Sequence, residues 1–300
     1  MATSHQPAAG TSRKVLVTGA RGMLGTDLCP VLAQSGWQVV PADLAELDLT
    51  DREATLAFVR EHQPAVIINC AAYTAVDEAE SKQELAFRVN RDGARNAAEA
   101  AAAVGAALVH ISTDYVFDGE KEGPYREDDP PNPLSAYGRS KLAGDRAVQE
   151  TLAEHCIIRS AWLHGVHGSS FPRAILNLAR EGKPLRVVTD QRGSPTYTAH
   201  LAQALAAIIA QPRFGTYHAV SVGSCTRYEL AREVLRAAGI HVQVGPATTA
   251  EFPRPAARPA NSVLDASKLA EVFGLRLPRW EQGVAEFVAR WQREQAGPRA

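Results

Sequence analysis

Tyr137 and Lys141 stand four residues apart in Tyr137-Gly-Arg-Ser-Lys141, a spacing that on a helix puts a phenol and an ammonium on one face, one turn apart. A phenol ionises near pH 10, so a tyrosine that exchanges protons near neutrality needs a shift of roughly three units, worth about 4 kcal/mol. A neighbouring ammonium supplies part of that by stabilising the phenolate. The spacing alone also describes an ordinary exposed helix pair. It gains weight from His110-Ile111-Ser112-Thr113-Asp114-Tyr115, which closes a strand-like apolar run. Hydroxyls there emerge at the carboxyl edge of a sheet, where one can hydrogen-bond a substrate oxygen while the tyrosine protonates it.

A third group is Thr18-Gly19-Ala20-Arg21-Gly22-Met23-Leu24-Gly25, with a glycine at every third position. In a strand-to-helix turn the first glycine permits the tight turn, the second lets a pyrophosphate approach the backbone, and the third lets helix and strand pack closely. Free N–H groups at the following helix start then face the phosphates. Asp43 lies eighteen residues after Gly25, where a carboxylate accepts hydrogen bonds from an adenosine ribose and repels a 2′-phosphate. Arg21 argues the opposite way, since it can reach such a phosphate. The cofactor is therefore expected to be NADPH or NADH, with the choice open.

The elements that must position these groups follow from the apolar pattern. Lys14–Thr18, Trp37–Val40, Ala65–Asn69, Ala107–Ser112 and Cys156–Arg159 read as strands. Helical patterns near Met23–Ser35, Arg52–Glu61, Lys82–Val104 and Ala136–His155 alternate with them. Continuous apolar strands alternating with helices predict an α/β fold, a doubly wound parallel sheet of Rossmann type covered on both faces. Residues 13–161 are the expected cofactor-binding domain. Beyond Trp162, Gly and Pro clusters and helices near Thr198–Ala210, Tyr228–Ala238 and Trp280–Gln295 suggest a smaller substrate-binding lid over 162–300, with segments able to return to the sheet. Residues 1–12 are expected to form a disordered tail.

Composition sets limits. Of 300 residues, 45% are hydrophobic and 22% charged, enough to bury a large core. Lys and Arg number 32 against 33 acids, with no basic stripe to neutralise a phosphate backbone, so nucleic acid is not an expected partner. The first dozen residues lack the apolar core of a signal peptide, and the longest apolar stretches, near Ala97–Leu108 and Leu201–Ala210, are too short or too interrupted to span a membrane. Four scattered cysteines fit a reducing, cytoplasmic compartment.

Eight segments in order carry a resemblance: VTGARGMLG (17–25), AELDLTD (45–51), NCAAYTAVDEAE (69–80), ISTDYVFDG (111–119), NPLSAYGRSKLAGD (132–145), RSAWLHG (159–165), DQRGSPTY (190–197) and RPANSVLD (258–265). The chain thereby resembles the extended short-chain dehydrogenases/reductases, and within them the dTDP-4-dehydrorhamnose reductase family. The resemblance implies reduction of the 4-keto group of a nucleotide-linked sugar. Thr113, Tyr137 and Lys141 would be the catalytic set, with Ser112 and Asp114 flanking the substrate oxygen. Asp48 and Leu49 would flank the adenine, Ala71, Ala72, Tyr73 and Thr74 would line the cofactor, and Asn90 would support the site. Trp162 would touch sugar or nucleotide, and Arg258 is the expected diphosphate ligand, since a guanidinium can grip two oxygens.

Two departures stand out. Leu44 occupies a position where some relatives carry an arginine after the acid, and no metal-ligand cluster is discernible although some relatives form metal-bridged dimers; a homodimer stays open. A dehydratase of the same superfamily needs an Asp-Glu pair after the catalytic Thr, and here Tyr115 replaces the Glu. A 4-epimerase stays open as a competing reading. So does a non-catalytic binding subunit like the regulatory subunit of methionine adenosyltransferase.

Overall fold

The computed structural model describes residues 13–296; the expected tail at 1–12 lies outside them. Alternating elements run β1 (Lys14–Thr18), α1 (Met23–Gln34), β2 (Gln38–Ala42), α2 (Arg52–His62), β3 (Val66–Asn69), α3 (Gln83–Phe87), α4 (Gly93–Val104), β4 (Ala107–Thr113), α5 (Ala136–Thr151) and β5 (His155–Ser160). The strands pair in parallel in the order β5-β4-β3-β1-β2, and Gly215–His218 adds a sixth parallel strand beside β5. All four residues of β3 are buried, as expected for strands covered on both faces.

The two faces are filled differently. On one, Val15, Val17, Ile68, Val109 and Ile158 meet α1 and α7 (Thr198–Ala210) through Leu28, Leu32, Leu201 and Leu205. On the other, Leu16, Ile67, Leu108 and Ile157 meet the small side chains of α4, including Ala97, Ala98 and Ala101. The alanines let α4 approach the sheet closely, which is why an Ala-rich helix is buried here.

The expected helix over Lys82–Val104 is interrupted. After α3 the chain widens into one π-type turn, Arg88–Asp92, before α4 begins. Local bulges of this kind often mark functional positions, and this one carries Asn90.

Beyond β5 the chain forms α6 (Phe171–Arg180), α7, α8 (Arg227–Ala238), α9 (Ser267–Phe273) and α10 (Trp280–Ala296). A second core, with Leu176, Leu230, Val234, Val284, Phe287 and Trp291, joins α6, α8 and α10. The two cores are tied by buried Asp27 of α1, which accepts hydrogen bonds from Thr198 of α7 at 2.5 Å and from Arg290 of α10 at 2.6 Å. No helix of the described residues is long and apolar enough to cross a membrane.

Candidate active site

The glycine turn is shaped by close contacts. Gly19 has φ +66°, and a Cβ there would lie 2.8 Å from the Ala71 nitrogen. A Cβ on Gly25 would overlap the Gly19 carbonyl oxygen. Gly22 starts α1 without a side-chain cap, and no acid stands in the first turn, so the N–H groups of Met23 and Leu24 are available to an anion. Such a turn suits a pyrophosphate.

At the end of β2, Asp43 accepts from the Arg21 backbone N–H at 2.9 Å. The Arg21 guanidinium is held in a two-point ion pair by Glu46, at 2.7 and 2.5 Å, and this pairing holds the exposed Glu46 carboxyl down at about 2. Asp43 and Arg21 thus stand side by side, and Glu46 competes for the charge that would meet a 2′-phosphate. Asp48 is exposed, and Leu49 is buried with its carbonyl accepting from Asn96 at 2.8 Å.

Ala71–Tyr73 follow β3 half-buried, and Thr74 is exposed. Asn90 fastens this segment to α5: its Oδ1 accepts from the Tyr73 N–H at 2.8 Å, and its Nδ2 donates to the Tyr73 carbonyl at 3.1 Å and to the Ser140 hydroxyl at 2.9 Å.

The α5 helix begins at the edge of the sheet because Ser135 caps it through the Gly138 N–H at 3.1 Å, and Glu80 accepts from the Ala136 N–H at 2.8 Å. A Cβ on Gly138 would overlap the Tyr115 carbonyl oxygen, so this glycine brings the first turn of α5 against the end of β4. Tyr137 is thereby set half-buried beside Tyr115, ring centroids 5.6 Å apart. Thr113 ends β4 and donates its hydroxyl to Asp114 Oδ1 at 3.0 Å.

Electrostatics here are dominated by burial. Desolvation raises the Tyr137 phenol, with Asp114, Tyr115 and Asp145 acting in the same sense and the Thr113 hydroxyl pulling it down. Desolvation pushes Asp114 up to about 6 against the hydroxyls of Ser262 and Thr113 and the charge of Arg227. Lys141 is 2% exposed and is pushed down to about 8 by the same cause, with Asp145 and Cys70 opposing. Its Nζ donates to the Ile111 carbonyl at 2.7 Å and lies 3.3 Å from His110 Nε2. The Lys141 Nζ expected to stabilise the phenolate is directed to β4, and Thr113 is the neighbour that favours the ionised phenol.

Residues from the second half complete the cleft. Trp162 has φ +47°, a strained conformation for a bulky residue, and a Cβ on Gly193 would overlap its indole. Arg227, which no sequence motif singles out, starts α8 with its Cζ 3.5 Å from the Trp162 ring centroid. It feels the charges of Tyr115 and Asp114, and no carboxylate lies within ion-pair distance of it among the described residues. Arg258, expected at the diphosphate, stands beside Tyr115 with its guanidinium donating to both Asp77 oxygens, at 2.5 and 2.8 Å, and to the Ala256 carbonyl at 2.6 Å. Ser112 is 5% exposed and lies under the edge near Asp145.

A doubly wound sheet, an uncapped glycine turn at its first helix and a Thr-Tyr-Lys group at its carboxyl edge define an extended short-chain dehydrogenase/reductase. The family model described as RmlD substrate binding domain matches residues 13–293, and the chain belongs to that family. A dTDP-4-dehydrorhamnose reductase of Streptomyces griseus is 44% identical over 95% of this chain and 97% of its own length. The crystal structure of a dTDP-4-dehydrorhamnose reductase from Clostridium acetobutylicum superposes with a TM-score of 0.91 at 43% identity, covering 93% of this chain and 99% of that one. Another, from Bacillus anthracis and in complex with NADP, superposes with a TM-score of 0.90 at 40% identity, covering 93% and 100%.

Proposed function

We propose that this chain is an oxidoreductase that reduces the 4-keto group of dTDP-4-dehydro-L-rhamnose to give dTDP-L-rhamnose, using NADPH or NADH. The observation that carries the reading is the meeting of Thr113 and Tyr137 at the edge of the sheet, with one strand, β3, between them and a glycine turn whose helix offers uncapped N–H groups. Gly19, Gly22, Met23, Leu24 and Gly25 would hold the pyrophosphate, Asp43 and Arg21 the adenosine ribose, Asp48 and Leu49 the adenine, and Ala71–Thr74 the flank of the cofactor. When bound, the nicotinamide supplies the hydride to C4.

Thr113 donates to the sugar carbonyl and fixes its direction. Tyr137 gives its proton to the developing alkoxide, and Lys141 holds the ribose hydroxyls and restores the phenol. Burial keeps Tyr137 protonated at neutrality, which suits a general acid in the reductive direction. Trp162 and Arg227 form the floor for the nucleotide, a flat apolar face beside a cation that suits a diphosphate. Arg258 serves through Asp77, by fixing the 254–258 loop over the site. Asp114 shapes the sugar pocket. The four cysteines are unbridged, in keeping with a cytoplasmic enzyme fed by nucleotide-sugar pools.

The test is a coupled measurement: oxidation of NADPH and of NADH with dTDP-4-dehydro-L-rhamnose, with the product identified by mass. One mole of product per mole of oxidised cofactor supports the reading; conversion without net oxidation would make the chain an epimerase.

A further inference from the structure

Beneath the catalytic edge runs a buried chain of polar side chains that the reaction above does not use. Thr18 donates to Asn69 Oδ1 at 2.8 Å, and the Ala71 backbone N–H donates to the same oxygen at 3.1 Å. A backbone N–H can only donate, so this pair fixes which end of the Asn69 amide is the oxygen. The other end, Nδ2, faces His110 Nδ1 at 3.2 Å. An amide nitrogen is a donor, and Nδ1 must therefore be the acceptor.

A neutral imidazole with a bare Nδ1 carries its proton on Nε2. His110 is 1% exposed, and burial above all holds its ionisation well below the ordinary range, so the neutral form is the one present. Its Nε2 lies 3.3 Å from Lys141 Nζ and 3.8 Å from Asp145 Oδ1. An ammonium has donors only and would set N–H against N–H. A neutral amine has a lone pair for the imidazole N–H and still has hydrogens for the Ile111 carbonyl, 2.7 Å away.

We propose that His110 is a positioning residue for Lys141: Asn69 fixes the imidazole with its proton on Nε2, that N–H holds the deprotonated form of Lys141 against β4, and uptake of a proton from water sets N–H against N–H and releases the ammonium to the catalytic edge. The inference rests on Lys141 belonging to the catalytic set. The polar and charged groups that face His110 are Asn69 from β3, Lys141 and Asp145 from α5, and His155 from β5. Arg159 donates to Asp145 Oδ2 at 3.3 Å; Asp145 Oδ1, at 3.8 Å from Nε2, stands beyond hydrogen-bond distance, and Lys141 Nζ at 3.3 Å is the nearer partner.

The tautomer is read directly by two-bond ¹H–¹⁵N correlation spectra of the full chain with labelled histidine, the His110 signal being assigned by its loss in His110→Gln. A bare Nδ1 and a protonated Nε2 at pH 7 are expected; a protonated Nδ1 overturns the proposal. The pH profile of kcat/KM for the cofactor then reads Lys141 in the free enzyme. Removing the donor in His110→Phe moves the alkaline limb up by about one pH unit, a tenfold change in the protonation equilibrium. In His110→Gln the side chain can accept from Asn69 and donate to Lys141, and the limb stays in place. A folded His110→Phe variant with an unmoved limb overturns the proposal, and if that variant does not fold the tautomer decides. Full activity of Lys141→Ala would instead sink the catalytic assignment on which both rest.

Discussion

The Arg227 guanidinium lies over the Trp162 ring, Cζ 3.5 Å from its centroid, and within reach of the charges of Asp114 and Tyr115. Arg258, by contrast, is bound at both ends of the Asp77 carboxylate. The two arginines therefore make different contributions. Arg227→Ala is expected to raise KM for the nucleotide sugar by roughly tenfold to a few hundredfold, for a lost charged contact of about 1.5–3 kcal/mol, with cofactor affinity unchanged. Arg258→Ala is expected to have the smaller effect on KM and to lower thermal stability, because it leaves Asp77 only the Ala256 N–H and the more distant Arg254. Steady-state kinetics and melting curves of the two variants check this; a larger KM effect from Arg258 would reverse the assignment.

Tyr137→Phe should keep the fold and cofactor affinity while turnover falls by roughly two to four orders of magnitude, the range for one general acid. Near-normal turnover would remove Tyr137 from the catalytic set.

The Gly138 contact with the Tyr115 carbonyl gives a second, purely steric route to the same tyrosine. In Gly138→Ala the added methyl must displace the start of α5, at a cost of about 1–3 kcal/mol, and activity should fall at least tenfold (roughly 1.4 kcal/mol in the barrier). Gly123→Ala is the comparison, since no atom lies within 4 Å of a Cβ there; equal losses in the two variants would count against the positioning argument.

The glycine turn, the first five strands and the Tyr137/Lys141 spacing are legible in sequence because each depends on local pattern. Other features depend on tertiary approach. The alanine-rich run at 82–104 reads as one helix, and nothing in its periodicity announces the π-type turn that aims Asn90 at Tyr73 and Ser140. Arg227 looks like the solvated start of an amphipathic helix until Trp162, far earlier in the chain, is folded beneath it. The pairing of Arg258 with Asp77 is invisible in the sequence, 181 residues apart. Glu46, which holds Arg21, is likewise invisible as a competitor. Helices α6 and α9 escape the periodicity, the first because Pro172 and the flanking glycines read as loop.

Burial of Asp114 couples stability to pH. Its carboxyl is raised from an ordinary 3.8 to about 6, so between those values the native state holds more protons than the unfolded chain, and stability falls as pH rises through that window. Asp114→Asn removes the penalty. Melting at pH 7.5 should show a gain of up to about 3 kcal/mol, with little difference from the parent at pH 3.5 and a loss of turnover. An unchanged melting temperature at pH 7.5 would mean that Asp114 is better solvated or better paired than its surroundings indicate.

The pairing of Arg21 with Glu46 predicts dual cofactor use, with less than about a thousandfold preference in kcat/KM, or roughly 4 kcal/mol. Glu46→Gln frees Arg21 for a 2′-phosphate and should shift the NADPH/NADH ratio toward NADPH by a few-fold to tenfold, modest because both side chains are exposed. A shift toward NADH would contradict this role for Arg21.

The central claim is that this cleft delivers a hydride to C4 of a keto sugar nucleotide while Tyr137 supplies the proton. It is tested most directly by running the reaction of dTDP-4-dehydro-L-rhamnose with cofactor deuterated at the transferable nicotinamide position and locating the label by NMR. Deuterium at C4 of dTDP-L-rhamnose, in stoichiometric yield and lost with Tyr137→Phe, is the expected result. Label retained on the cofactor, or found at another carbon of the sugar, would contradict the account.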